Sequence, residues 1–223
     1  MRLLALDTST AACSVAAWGG EGLLCERLEW TGQGHSERLL PLVDAVLAEA
    51  GWRLAECDAL AFGRGPGSFT ALRIGIGVVQ GLAFGAGLPV IPVSSLAALA
   101  QGQPAGRVLA AIDARMGQVY WAPFQRDPGG RMRPLAEEAV SDPGALDWRG
   151  EGTWLGAGSG WDQYAGVLLE ALGGRVRDWR PRQAPRAAGV AALGAVELAA
   201  GRVLEAQLAL PRYLRDRVAR RPD

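Results

Sequence analysis

The chain has 223 residues, of which 49% are hydrophobic, enough for one large domain or two small ones with a sizeable core. Its 23 basic and 23 acidic residues cancel, and the isoelectric point lies near 6.6, so the chain as a whole is no electrostatic magnet for nucleic acid or an anionic membrane. Cys13, Cys25 and Cys57 are odd in number and irregular in spacing, against a disulfide framework or a zinc site. The sequence contains no lysine, which excludes a Walker loop.

In chain order, Arg2 to Asp7 reads as an apolar strand ending in a carboxylate, followed by Thr8-Ser9-Thr10. Cys13 to Trp18 and Leu23 to Trp30 continue a three-strand meander across the turn at Gly19 to Gly22. Ser36 starts a helix whose apolar stripe is Leu39, Leu40, Val43, Val46, Leu47 and Ala50; Gly51 ends it, and Pro41 sits early enough to be tolerated. A short buried strand over 59–62 is followed by a glycine-rich helix from about Leu72 to Phe84, with Thr70 as its N-cap. Val90 to Val93 is a further strand, and Ser94 or Ser95 caps a short helix to about Ala100. No signal-like segment opens the chain and no apolar run looks long enough to span a bilayer, so a cytoplasmic location is expected.

Gln101 to Gly106 is the expected junction between an N-terminal lobe, 1–103, and a smaller C-terminal lobe, 104–223, whose tail could return to the first. Val108 to Asp113 repeats the opening device of an apolar strand ending in aspartate, and Gln118 to Phe124 is the next strand. Beyond the turn at Asp127 to Gly130 the pattern predicts a strand over 135–140 and a short one over 153–155. Helices are predicted over 164–172 and over 187–210, the latter with a break at Gly201. A weak βββαβα duplication, less complete in the second half, is the pattern of the actin-like ATPase fold.

The most distinctive stretch is Gly65-Pro66-Gly67-Ser68-Phe69-Thr70, which joins a strand to a helix and is shaped by backbone constraint. Ser68 is not in a G-x-S-x-G elbow, and the only histidine available as its base is His35, so capping and turn shaping are its expected roles. His35-Ser36-Glu37 imitates the H-x-E of zinc deaminases, but no P-C-x-x-C follows. Asp7 and Asp113 stand where an actin-like ATPase places carboxylates near metal-bound phosphate; capping of their own turns is the alternative, and the favoured one. The eight tryptophans are read as buried rather than base-stacking. The arginines of the tail, Arg212, Arg215, Arg217, Arg220 and Arg221, are read as a solvated terminus, with RNA phosphate contact as the alternative.

Taken together, Leu6-Asp7-Thr8-Ser9-Thr10, His35-Ser36-Glu37, the Gly65 to Thr70 loop with Leu72-Arg73-Ile74-Gly75, Val93-Ser94-Ser95-Leu96, Asp113-Ala114-Arg115-Met116 and Pro211 to Arg215 resemble the TsaB (YeaZ) family of bacterial tRNA threonylcarbamoyladenosine biosynthesis. The resemblance covers essentially the whole chain, thins between about 124 and 210, and departs at Ala71, where the family usually has glycine. It implies an α/β, actin-like (ASKHA, ribonuclease H-like) fold with a degenerate second lobe. It also implies a non-catalytic subunit that pairs with a TsaD-like catalytic subunit and a TsaE-like ATPase in threonylcarbamoyl transfer to N6 of adenosine 37 in tRNAs reading ANN codons. On that reading Asp7, Thr8, Ser9 and Asp113 are degenerate phosphate-site turns. His35, Leu39, Val43, Leu72, Arg73, Ile76, Gly77 and Gln80 are docking candidates, for the partner or for a second copy of the chain. No catalytic residue, metal or cofactor belongs to this chain alone: ATP and metal are expected on partner subunits, and tRNA is met only through the complex. The TsaD-like His-x-x-x-His metal motif cannot be built from one histidine. The alternatives are an actin-like ATPase or sugar kinase, and a glycoprotease-like hydrolase.

Overall fold

A computed structural model describes residues 1–20 and 22–215. In it the first lobe consists of β1 (Arg2–Asp7), β2 (Ala12–Gly19), β3 (Gly22–Trp30), α1 (His35–Ala50), β4 (Ala59–Gly63), α2 (Phe69–Ala86), β5 (Val90–Val93) and α3 (Ser95–Gln101). Its sheet runs β3-β2-β1-β4-β5, with β1–β2 and β2–β3 antiparallel and β1–β4 and β4–β5 parallel. The second lobe consists of β6 (Arg107–Arg115), β7 (Gln118–Arg126), β8 (Met132–Pro134), β9 (Ala139–Ser141), β10 (Trp154–Ala157), α4 (Ser159–Ala171), β11 (Val176–Arg180) and α5 (Ala187–Ala199). Its sheet runs β11-β10-β6-β7-β8, and β9 also pairs with β7. The two orders match strand for strand. Among the described residues the second lobe lacks a counterpart of α1, whose place in the chain is taken by loop, β9 and the 3₁₀ turn Pro143–Ala145.

The first sheet is covered on both faces, which is why β1 is a continuous apolar run rather than an alternating one. Leu4 and Leu6 face α1 and α2 in one cluster with Leu39, Val43, Val46 and Val79. Leu3 and Ala5 face α5, against Val190, Ala191 and Ala195. Helix α3 in turn packs Leu96 and Leu99 against Val108, Ala110 and Ile112 of the second sheet. Each lobe therefore lends its last helix to the other. The two helices cross where an added Cβ on Gly189 would stand 2.4 Å from the Ala98 carbonyl, so only glycine allows that approach.

Several expectations need correction. The strand predicted over 135–140 is mostly absent: residues 135–138 form the shift between β8, which precedes them and pairs with Phe124–Arg126, and β9, which pairs with Val119–Trp121 of the same strand and takes in only 139–140 of the predicted span. Helix α5 stops at Ala199: Gly201 takes φ +70°, and Leu204 then exchanges two backbone hydrogen bonds of 2.8 Å with Val90 at the edge of the first sheet. Ala206 and Ala209 continue into the first lobe's core. Helix α4 begins at Ser159, not Tyr164, and β11 carried no signal in its polar sequence. Ser68, rather than Thr70, is the N-cap of α2, and its side chain makes no cap hydrogen bond. On α1, Leu40 is 47% exposed and Leu42 is buried in its place. The 18 residues of α2 are apolar and long enough to cross a bilayer by length and composition, contrary to the reading above. Yet α2 buries Ile76, Val79 and Ala83 against the first sheet, as a core helix does.

Candidate functional site

The turn after β1 is sealed by glycines. Asp7 is 1% exposed; its Oδ1 accepts from the Ser9 amide (2.9 Å) and the Ser9 hydroxyl (2.7 Å), and its Oδ2 accepts from the Ser95 hydroxyl (3.0 Å). Ser95 Oγ accepts from the Gly65 amide at 3.2 Å, which ties the distinctive loop to the same cluster. Burial pushes the Asp7 carboxyl above its ordinary value of 3.8, with the bonds from Ser9 and Ser95 opposing in part. A Cβ on Gly63 would stand 1.9 Å from Asp7 Oδ2, one on Gly67 2.2 Å from the Ser9 carbonyl, and one on Gly75 2.2 Å from Thr8 Oγ1. The absence of those carbons lets the loop after β4 and the first turns of α2 close on Asp7, Thr8 and Ser9. Thr8 Oγ1 donates to the Ala71 carbonyl (2.8 Å) and the Ser68 amide to the Ser9 carbonyl (2.7 Å). Asp7 and Ser9 thus cap their own turn, in agreement with that reading of the sequence.

Between the lobes lies a cleft of about 850 Å³. Ser9, Ser68, Phe69 and Thr70 line it from the first lobe, and Asp113, Arg115, Tyr120 and Ser159 from the second; Asp7 and Thr8 do not reach it. The second lobe's matching strand end is built differently. Asp113 Oδ1 accepts from the Arg115 amide (2.9 Å), its Oδ2 pairs with the Arg115 guanidinium (3.3 Å), and Arg115, Met116 and Gly117 all take positive φ in a tight hairpin. One feature lacked notice in the sequence. Gly156-Ala157-Gly158-Ser159-Gly160 makes a strand-to-helix turn from β10 into α4, in which Gly158, φ +110°, would place a Cβ 2.2 Å from the Ala111 carbonyl, and Ser159 Oγ accepts from the Asp113 amide at 3.0 Å. This is the second lobe's counterpart of the Gly67 turn. Glycine density between an apolar run and a helix was the available signal.

The docking candidates separate into two groups. Leu39, Val43, Leu72 and Ile76 are spent in the chain's own core, and His35 is buried with Nε2 donating to the Thr10 carbonyl at 2.9 Å. His35 therefore serves as a tie to the turn after β1, and no buried member of this group offers a surface. Gly77 is exposed, Gln80 is half-buried and donates to the Ala209 carbonyl (2.9 Å), and Arg73 is exposed. Gly77, Gly81 and Gly85 form one stripe along α2 where an added Cβ would meet nothing within 4 Å, beside Phe84 at 82% exposure. Among the described residues no group of three His, Cys, Asp or Glu side chains is placed to hold a metal ion. Trp154 and Trp161 are fully buried, while Trp30, on the cleft wall, is 52% exposed. Arg217, Arg220 and Arg221 lie outside the described residues. Arg212 and Arg215 are not a solvated end, because both bind the body of the protein.

Residues 29–152 match the model of the family described as TsaD: tRNA N6-adenosine threonylcarbamoyltransferase. The tRNA threonylcarbamoyladenosine biosynthesis protein TsaB of Escherichia coli is 44% identical over 226 residues, covering 98% of this chain and 96% of that protein. The structure of YeaZ from Pseudomonas aeruginosa superposes with a TM-score of 0.88 at 45% identity, covering 96% of this chain and 99% of that one. At the level of fold alone, the ROK hexokinase of Thermus thermophilus superposes with a TM-score of 0.52 at 14% identity over 89% of this chain and 100% of that one, a likeness of actin-like architecture.

Proposed function

The chain belongs to the TsaB family of tRNA threonylcarbamoyladenosine biosynthesis proteins, and on that premise we propose that it is the non-catalytic subunit of a cytoplasmic complex. Its partners are a TsaD-like catalytic subunit and a TsaE-like ATPase, and the complex transfers a threonylcarbamoyl group to N6 of adenosine 37 in tRNAs reading ANN codons. ATP and metal are held by the partners, and tRNA is engaged through the assembly.

The observation that carries this reading is the sealed first turn. In an actin-like ATPase the strand-end carboxylate must reach metal-bound phosphate in the cleft. Here Asp7 is buried behind Ser9, both of its oxygens accept hydrogen bonds from the fold, and the space beside it is closed by Gly63, Gly67 and Gly75. The hydrolase alternative finds no support in the geometry either, since His35 Nε2 is committed to the Thr10 carbonyl. The outer stripe of α2 supplies the docking face: glycine lets another helix approach closely, and Phe84 offers apolar area worth about 25 cal/mol per Å² when covered. A second copy of the chain would use this same stripe, so homodimer and partner complex exclude each other.

The test is reconstitution. Purified chain should be required for ATP-dependent threonylcarbamoylation of tRNA by its TsaD- and TsaE-like partners, and should alone turn over neither Mg-ATP nor model peptides. Turnover by the isolated chain that Asp7→Ala abolishes would overturn the non-catalytic reading. Gly77→Leu sharpens the docking claim: the site has room for the side chain, so the melt should hold while capture of the TsaD-like partner is lost. Undiminished capture removes α2 from the interface.

A further inference from the structure

Residues Arg212 to Arg215 touch the two lobes in alternation. The Arg212 amide donates to the Arg64 carbonyl of the first lobe at 2.9 Å, while its guanidinium lies 3.8 Å from Glu138 Oε2 of the second. Tyr213 returns to the first lobe: its ring packs on Phe69, with centroids 5.4 Å apart, and its hydroxyl accepts from Arg73 Nε at 3.1 Å. The Arg73 guanidinium in turn sits 3.9 Å over the Phe69 ring, a cation–π contact that closes a three-residue cluster. Arg215 then reaches the second lobe, donating to the Ala114 carbonyl (3.2 Å) and to Gln118 Oε1 (2.7 Å).

Glu138 marks how closely this tie is built. Its side chain is 8% exposed, Oε1 accepts from the Ser94 hydroxyl, and Oε2 has no hydrogen-bond donor among the described residues, which bring two guanidinium groups, Arg64 and Arg212, each to 3.8 Å. A buried carboxylate oxygen depends on such charges, because burial without compensation is costly. One of those two charges comes from the tail. The lobes are also joined by α3 seated on the second sheet, by α5 seated on the first, and by hydrogen bonds such as those of Gln101 with Gly130 and Met132 and of the Ala187 amide with Ser14; the tail adds ties beside the cleft.

We propose that Arg212–Arg215 is a strap that fixes the angle between the lobes and hence the width of the cleft, whose lining includes Tyr213 and Arg215. The strap also explains Arg73, which the sequence offered as a docking residue: its guanidinium anchors the tail to the first turn of α2.

Interlobe distance tests this directly. Gln33 and Gln163 are exposed and line opposite walls of the cleft, the strap's hydrogen bonds go to other residues, and the three native cysteines are buried. Nitroxide labels on Gln33→Cys and Gln163→Cys of the full chain should give one narrow distance distribution by pulsed electron resonance. Adding Tyr213→Ala with Arg215→Ala should lengthen and broaden that distribution while the circular dichroism spectrum stays folded. Arg215→Ala alone, which removes a single half-buried side chain and the tie to the second lobe, should do so to a smaller extent and serves if the double variant unfolds. Arg149→Ala, which breaks a surface pair elsewhere in the second lobe, should change nothing. An unchanged distribution in the folded strap variants, or an equal change in the Arg149 control, overturns the proposal.

Discussion

Asp7 and Asp113 end matching strands of the two lobes, and their surroundings show how the same sequence device can be put to different use. Around Asp7 three glycines remove the side chains that would hold the next loop and helix away, so the carboxylate sinks out of contact with the cleft. Around Asp113 the chain makes a tight hairpin through positive φ, the carboxylate stays at the cleft wall, and its partner is the largely exposed Arg115. The first turn is a packing element, and the second retains a surface. The difference lies in what approaches the aspartate, not in the aspartate.

The largest way to test that contrast is to restore a missing side chain. Gly75→Leu drives a branched side chain into Thr8 and should prevent folding, while Gly75→Ala should cost about 1–3 kcal/mol as overpacking and break the Thr8 bond to Ala71. Two residues on, Gly77→Ala should gain roughly 0.5–1 kcal/mol, since it meets nothing and raises helix propensity. Denaturant melts of the pair read both signs; effects of the same sign would break the inner-face and outer-face assignment of α2.

Next in size is the first aspartate itself. Asp7→Ala leaves the Ser9 amide and the Ser9 and Ser95 hydroxyls buried without their acceptor, at a cost on the order of 2 kcal/mol. Asp7→Asn should cost less, and comparison across pH isolates the charge. Because burial raises the folded pKa above the unfolded one, the fold favours the protonated acid. That contribution is fully present below the ordinary value of 3.8 and is lost as pH rises through the raised value. The stability of the natural chain relative to Asp7→Asn should therefore fall as pH is raised from about 3.5 through the raised pKa and then level off. A relative stability that rises over that range would mean that the hydrogen bonds outweigh burial. The smallest effect is Asp113→Ala, which removes one turn bond and one pair with an exposed arginine and should shift stability by about 1 kcal/mol or less. A loss equal to that of Asp7→Ala would erase the distinction between the lobes.

What the sequence determined by itself is local. Apolar runs closed by an aspartate or a glycine marked β1, β4 and β6, and Gly51 and Ser94 marked a helix end and a helix start, because those signals act within a few residues of the backbone they control. The βββαβα repeat and the family motifs were legible for the same reason. Tertiary structure alone decided which helix faces were inward: Gly75 and Gly77 have the same propensity, but at 3.6 residues per turn they point to opposite sides, one into Thr8 and one to open space. It also decided that α5 covers the first sheet, that the polar segment Val176–Arg180 is a strand by virtue of its neighbour β10, and that Tyr213 and Arg215 bind Phe69, Arg73 and Gln118. Those outcomes depend on partners far away along the chain, 173 residues in the case of Ala187 and Ser14, and no spacing rule in one sequence reports which distant surface will be free to receive them.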